Sequence, residues 1–535
     1  MSLESMDPRS FLDLTYAHAR RHALSRRGML GAAAGVGALA LAGDALAQTP
    51  QRGGILRCGR DQEPDSLDPH KTALAVSEAT LRLVHEPLAR IDADGNVRPA
   101  LAASWELIND NKTIVFKLKD GITFHDGTPV DAEAVAWTVA RHRDPATASP
   151  TVFLLGPLDK VEALDRMTVA YTYRQPFVPL WIGLTLGYCV ILPRRAVEAA
   201  GAQFGRNPVG AGPFKFKSWA PDSGIQMDRY DGYRAGSAAN VDGIKIVHYP
   251  EDATRMAALE TGEIDLIYTG SSVPLTGIRR LRGRRGIEVL SRPALTLRNI
   301  TFNQSLAPLN DVKVRQALTH AIDPARMVAL ILDGQGKESH GPLPSTMPGY
   351  TPTVEQLAYR YDPARAKALL AEAGHGSGLR LTAIGNDTPA IRRAAEIAQA
   401  QFKEIGVELA VQSMPIGEWS AAARRGQSQI IFDGYTYPDA DALYVKFHST
   451  SGINVNFVPR DQSVELDRLL DAQRTEFDPA KRRDLLKQAQ EKIVRDAYWI
   501  PMFEPLNVAA IGPKVKGGVL HSNADVNITQ LWLEG

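Results

Sequence analysis

Apolar residues recur along this chain in two periods, about two and about 3.6, and the alternation between them predicts a mixed α/β protein. Thr113-Ile114-Val115-Phe116-Lys117-Leu118 alternates as a strand towards Gly121, and Ile122-Thr123-Phe124 follows with a turn at Asp126-Gly127. Phe116, Leu118, Ile122 and Phe124 can then form the apolar face of a hairpin. The apolar runs at 244–247 and 264–267 bracket a helical stretch at 253–261, which reads as a β-α-β unit with a short crossover. Helix starts are marked by aspartate followed by proline. Asp323-Pro324, Asp362-Pro363 and Asp478-Pro479 each place a capping acceptor ahead of a residue whose missing N–H costs nothing at the first helical position. The second of these should run from Pro363 to Ala373 and stop at Gly374. Asp311 should cap a helix whose stripe is Val314, Ala317, Leu318 and Ala321.

The N-terminus departs from this pattern. Ser25-Arg26-Arg27-Gly28-Met29-Leu30, an Ala/Gly/Leu-rich run and Ala45-Leu46-Ala47 read as a twin-arginine export signal, which places the mature start near Gln48, outside the cytoplasm. Removing residues 1–47 takes five of the 61 Lys and Arg and four of the 60 Asp and Glu, and leaves 56 of each sign. A chain of zero formal charge has no general attraction for nucleic acid or anionic lipid. Roughly 490 remaining residues are too many for one core, so two or more lobes are expected. Cys58 and Cys189 are the only cysteines, and an oxidising compartment would let them pair if the fold brings them within reach.

Catalytic signatures are missing. There is no G-x-S-x-G elbow, no phosphate loop, no H-E-x-x-H and no paired C-x-x-C, so neither a metal site nor a cofactor is expected. The ten histidines of the mature chain are scattered singly, among them His125, His320 and His448. Asp439 and Asp441 form a carboxylate pair that nothing marks as an acid catalyst. The basic run Arg279-Arg280-Leu281-Arg282-Gly283-Arg284-Arg285 lacks interleaved aromatics and reads as a solvated face. An exported, electrically neutral, multi-lobed protein without catalytic apparatus suggests a binder.

From Leu67-Asp68-Pro69 onwards the chain resembles the peptide/nickel class (family 5) of solute-binding proteins that serve ATP-driven importers. His85-Glu86-Pro87-Leu88 resembles the family's Y-E-x-L, and Pro99 to Glu106 resembles its P-x-L-A-x-S-W block. The segment 116–129 is similar to F-x-L-R-x-G-V-K-F-H-D-G-x-P, and 207–214 to N-P-V-G-T-G-P-Y. Phe302-Asn303, the run 309–318 and Tyr361-Asp362-Pro363 follow in the family's order. Gly210 and Gly212 would allow close backbone approach or unusual torsions.

The resemblance implies an α/β, two-lobed periplasmic-binding-protein fold (type II, cluster C) that closes on its ligand. The first lobe would comprise 48–92, 205–298 and 504–535, with an inserted subdomain at 93–204 and a second lobe at 299–503. It implies a periplasmic, monomeric capture subunit, not an enzyme, that hands a small peptide or peptide-like solute to a membrane permease and its ATPase. Trp419, Asp433, Gly434, Tyr435, Thr436, Tyr437 and Asp439 would then touch the ligand. Peptide-binding relatives carry an ammonium-binding aspartate where Thr436 stands, so free-amine peptides should bind weakly unless Asp433 or Asp439 supplies the charge. An opine, a modified amino acid, a sugar conjugate or a nickel chelate is the alternative cargo. A secreted hydrolase, or a periplasmic chaperone or sensor component, is the alternative class.

Overall fold

All four predicted caps form. Asp311 accepts from Lys313 N at 2.8 Å, Asp323 from Arg326 N at 3.2 Å, Asp362 from Arg365 N at 2.9 Å, and Asp478 from Ala480 N and Lys481 N at 2.8 and 3.0 Å. The helix Pro363–Glu372 ends as its glycine dictates. Gly374 takes a φ of 82° and lets His375 N–H reach back to the Leu370 carbonyl at 2.7 Å. The Val314, Ala317, Leu318 and Ala321 stripe is fully buried. These elements belong to a computed structural model that describes residues 50–535, apart from 93–96, 221–223, 234–237, 269–276, 377, 452–453, 519 and 521–526. The export signal lies outside the described residues.

Twelve strands form one sheet, ten of them in a single row. The row begins with Val407–Met414, Leu379–Asn386, Ile430–Thr436 and Thr296–Phe302. It passes through the long strand Trp499–Ile511, then continues with Leu266–Ile267, Ile55–Arg60, Gly243–His248, Gly224–Arg229 and Phe214–Ala220. The expected β-α-β unit is modified. Gly243–His248 and Leu266–Ile267 do not pair with each other, because Ile55–Arg60 inserts between them, parallel to both. Helix Asp252–Thr261 thus crosses over one intervening strand, which comes from the start of the chain.

The long strand serves cores on both sides of the crossing. Ile500, Met502 and Phe503 pack with Ile300, Phe302, Leu318 and Phe432, whereas Ala509 and Ile511 pack with Leu56, Cys58, Ile244 and Leu266. Its partner along one edge is also continuous. Glu288–Pro293 pairs with Leu506 to Ile511 and Thr296–Phe302 with Trp499 to Phe503, and Ala294 N–H bonds the Pro505 carbonyl at 3.1 Å between the two runs. An antiparallel ribbon therefore carries the chain from one core to the other in both directions.

A third core belongs to the four-stranded sheet of Ala102–Ile108, Thr113–Leu118, Thr168–Tyr173 and Leu158–Asp165, covered by helix Ala132–Arg143. The expected hairpin is corrected here. Both edges of Thr113–Leu118 are taken by Ala102–Ile108 and Thr168–Tyr173, so the segment 122–130 folds on itself, with Phe124 N–H donating to the Thr128 carbonyl at 2.8 Å. Phe116, Leu118 and Phe124 still share one core, and Ile122 packs against it. Cys58 and Cys189 are free thiols in different cores, each raised to about 12 by burial.

Around this third core the histidines are structural. Gly210 N–H donates to His125 Nδ1 at 3.3 Å, so His125 carries its proton on Nε2 and donates to the Gly212 carbonyl at 3.0 Å. A Cβ on Gly210 would stand 2.1 Å from the Val84 carbonyl oxygen, and one on Gly212 would stand 2.5 Å from the Val84 carbonyl carbon. Close approach, not a positive φ, explains both glycines. His142 stacks on His70 at 4.2 Å, and Arg141 bonds both Asp68 oxygens, at 2.6 and 3.0 Å, and His70 Nδ1.

Burial lowers His85, His125 and His142 to about 4. The folded state holds these rings neutral while the unfolded chain protonates near 6.5, so stability present at pH 7 is lost as pH falls from about 6.5 towards 4. His70 and His340 are lowered by burial in the same sense, while Asp441, raised to about 6 by burial, and Glu504, also raised by burial, act in the opposite sense, two carboxyls against five histidines. Urea denaturation should therefore give a lower midpoint at pH 5 than at pH 7, and His142→Gln should shrink that difference. An unchanged pH slope in the variant would show that His142 is not among the groups responsible.

Candidate ligand-binding site

The segment expected to meet ligand begins as strand Ile430–Thr436, antiparallel to Thr296–Phe302 and ending beside the crossing ribbon. Its side chains alternate between two fates. Tyr435 is committed to packing, with its hydroxyl donating to the Pro342 carbonyl at 2.6 Å and its ring stacked 6.1 Å from Trp499. Trp419, on helix Ile416–Arg424, packs against Ile384, Met414, Ile431 and Val455, and its indole N–H is buried without a partner. The two aromatics expected as ligand platforms are therefore wall and core residues first.

The two aspartates are also engaged. Asp433 is buried and bonds Lys446 Nζ at 2.7 Å. Asp439 is buried and bonds Arg482 at 2.7 and 3.4 Å. From Arg482 a buried chain runs through Gln473 (3.2 Å) to Asp441 (2.8 Å), and Arg474 Nε lies 3.1 Å from Asp441. Two aspartates face two arginines, so the network is neutral and braces the loop after Thr436. Burial raises Asp441 even though Arg474 pulls it down, and one of its oxygens lacks a partner. Neither Asp433 nor Asp439 is free to meet a ligand ammonium without abandoning a cation.

Thr436 is exposed at the strand end, with its hydroxyl 2.7 Å from that of Thr296. Two residues back, on the same face, Arg298 lies directly opposite Gly434. The arginine occupies the space a side chain would need. A Cβ on Gly434 would stand 2.6 Å from Arg298 Nη1 and 2.7 Å from its Cδ. Burial lowers the guanidinium from its ordinary value, with the Asp433 carboxylate opposing, yet arginine stays protonated. Arg298, Lys446, Arg474 and Arg482 were not foreseen from the sequence. For Arg298 a signal existed, since it is the one charged residue in the otherwise uncharged strand Thr296–Phe302.

Beyond Thr436, Tyr437 lines a cavity of about 510 Å³. One wall comes from Phe153, Arg174 and Phe177 beside the third core, the other from Tyr437, Asp441 and Arg474. Arg474 joins the walls: its guanidinium lies 4.9 Å from the Phe177 ring centre and 3.8 Å from that of Tyr444, and its carbonyl accepts Val178 N–H at 2.8 Å. The volume falls within the roughly 300–1,000 Å³ usual for small-molecule pockets. Among the described residues no cluster of three or more His, Cys, Asp or Glu is placed to hold a metal, and no helix is long and apolar enough to cross a membrane. In the basic cluster, Arg279 pairs with Asp333, and Arg280 and Arg284 pair with Glu260.

Residues 96–455 match the model for bacterial extracellular solute-binding proteins, family 5 (middle region), and the chain belongs to that family. It is 28% identical over 483 residues to the glutathione-binding protein GsiB of Pectobacterium atrosepticum, covering 87% of this chain and 92% of the relative. The ABC transporter-associated periplasmic binding protein DppA of Helicobacter pylori, solved with the peptide STSA, superposes with a TM-score of 0.78 at 25% identity, covering 91% of this chain and 99% of that one. MoaA from A. tumefacien R10, solved with mannopinic acid, gives 0.76 at 26% identity, covering 91% and 100%. The fold is the two-lobed α/β fold of these solute-binding proteins.

The Asp433–Lys446 pair gives a prediction. Asp433→Asn should lower stability by about 3 kcal/mol, because it strands a buried ammonium. Removing both charges, as Asp433→Asn with Lys446→Met, should recover most of that loss in a denaturation-based double-mutant cycle. Additive losses would mean that the pair is not coupled.

Proposed function

We propose that this protein is the exported capture subunit of an ATP-driven importer, enclosing a short peptide or peptide-like acid between its lobes and delivering it to a membrane permease. The observation that carries this reading is the paired ribbon crossing at 293–296 and 503–506, set beside Thr436 and a cavity walled from two cores. Such a crossing is the hinge that lobe closure needs. The lobes are then 48–92, 205–298 and 504–535 for the first, 93–204 for its inserted subdomain and 299–503 for the second. Twin-arginine export, a periplasmic location, a monomeric state and binding without turnover belong to the same proposal. Likeness to a glutathione-binding protein and to a peptide-bound DppA supports peptide-like cargo.

A second reading, an opine or another modified amino acid, has specific support. Thr436 offers no charge, Asp433 and Asp439 are already paired, and one structural neighbour was solved with mannopinic acid.

Two measurements test the proposal. A bound ligand should raise the melting temperature by mass action and compact the protein in small-angle scattering. Conversion of that ligand to product would replace the binder reading with an enzyme. Acetylating the α-amine of a bound peptide should change its calorimetric Kd less than about threefold, since no free carboxylate awaits the ammonium. A loss of 100-fold or more, worth about 2.7 kcal/mol, would place an ammonium-binding acid in the site after all.

A further inference from the structure

Arg298 stands out among the charged groups at this end of the sheet. Lys446 is neutralised by Asp433, Arg482 by Asp439, and Arg474 lies against Asp441. Arg298 makes no hydrogen bond and no ion pair with any described residue. It is nonetheless half-buried on a strand that contributes Leu297, Ile300 and Phe302 to the cores. A guanidinium held this way has lost part of its hydration with only the through-space charge of Asp433, itself bonded to Lys446, to offset it and no hydrogen bond in return, an arrangement that costs free energy until an anion arrives. Its placement is specified: Gly434 leaves the space it fills, and the register sets it on the face that carries the Thr296 and Thr436 hydroxyls. A planar fork of donors beside two hydroxyls matches a carboxylate, which can accept two parallel N–H bonds.

We infer that Arg298 anchors a carboxylate of the captured solute, so that this end of the cleft selects for an acid and not for an ammonium. The inference deepens the proposed function and rests on it for the location of the cleft. It reverses the polarity that an aspartate at position 436 would have given. It also unites the two cargo readings, since short peptides and opines are both carboxylic acids.

The test pairs each acid with its neutral derivative: a tetrapeptide and its C-terminal amide, glutathione and its diethyl ester, and an N-carboxyalkyl amino acid and its diester. Each is titrated calorimetrically into wild type, Arg298→Gln and Arg298→Lys, whose ligand-free melting temperatures report folding. In the wild type at least one acid should bind tenfold or more tighter than its derivative. Arg298→Gln should erase that ratio while leaving the derivative's affinity unchanged, and Arg298→Lys should keep part of it. Acid selectivity confined to the N-carboxyalkyl amino acid would remove the peptide reading and leave the Arg298 assignment standing. Peptides that bind equally as acid and amide would do the reverse. Equal weakening of acid and derivative in Arg298→Gln, or no acid-selective binding by any pair, would overturn the assignment.

Discussion

The two lobes are joined by a pair of strands whose backbone hydrogen bonds continue on both sides of the crossing, with one irregularity of register at Arg298/Asn299. Trp499–Ile511 contributes side chains to cores on both sides of the crossing, and the ribbon partner 288–302 follows it on one edge. Gly336–Glu338 covers the other edge just where the strand leaves the core of Ile500, Met502 and Phe503. Sliding one lobe against the other would break ladder bonds on both edges and shift the strand's alternation between core and solvent. Bending and twisting preserve the ladder, so they are the motions this connection permits. Glu504 marks the place: buried at the crossing, its carboxylate accepts from Ser345 N–H and Oγ at 3.0 and 2.8 Å, which fixes the strand to the loop that follows Gly336–Glu338.

Charge at the cleft edge follows from what burial demands. An unpaired buried carboxylate is expensive, so Asp433 and Asp439 each carry a cation, and the Asp439–Arg482–Gln473–Asp441 chain closes most of its hydrogen bonds internally. Such a network contributes little net stability but holds one loop geometry. That loop positions Tyr437 in the cavity wall and leaves Thr436 exposed. With the acids consumed by structure, the group left for a solute is the basic one, Arg298.

The family and its two-lobed fold were legible through resemblance, but what the residues showed by themselves was local. Asp311, Asp323, Asp362 and Asp478 announce helices because a cap is set by neighbours two or three residues away. Strand Thr113–Leu118 was legible from its alternation, but its partners were not. Pairing depends on segments as distant as Thr168–Tyr173, and the same apolar alternation permits several registers. The β-α-β unit was read correctly as to its elements and incorrectly as to adjacency, because Ile55–Arg60 arrives from nearly two hundred residues earlier. Along 433–437 the sequence could not show that Tyr435 and Asp433 spend their functional groups on Pro342 and Lys446. Which of two aspartates is free is a tertiary fact. So is the reason for Gly434, where a Cβ would take the place the Arg298 side chain occupies.

Closure imposes one further condition on any solute. A ligand shifts the balance between open and closed lobes only by the difference in its contacts with the two states. Arg298 stands on the strand that carries Ile300 and Phe302, so a carboxylate held there alone would bind both states alike and close nothing. The remainder of the solute must reach the opposite wall, where Phe153, Arg174 and Phe177 face the cavity. A small anion such as acetate satisfies the first requirement and not the second. A short peptide, or an amino acid carrying a long N-substituent, that is acidic at one end and apolar or hydrogen-bonding at the other satisfies both. The ribbon then turns that two-ended grip into a bend, because the backbone ladder leaves it no other response.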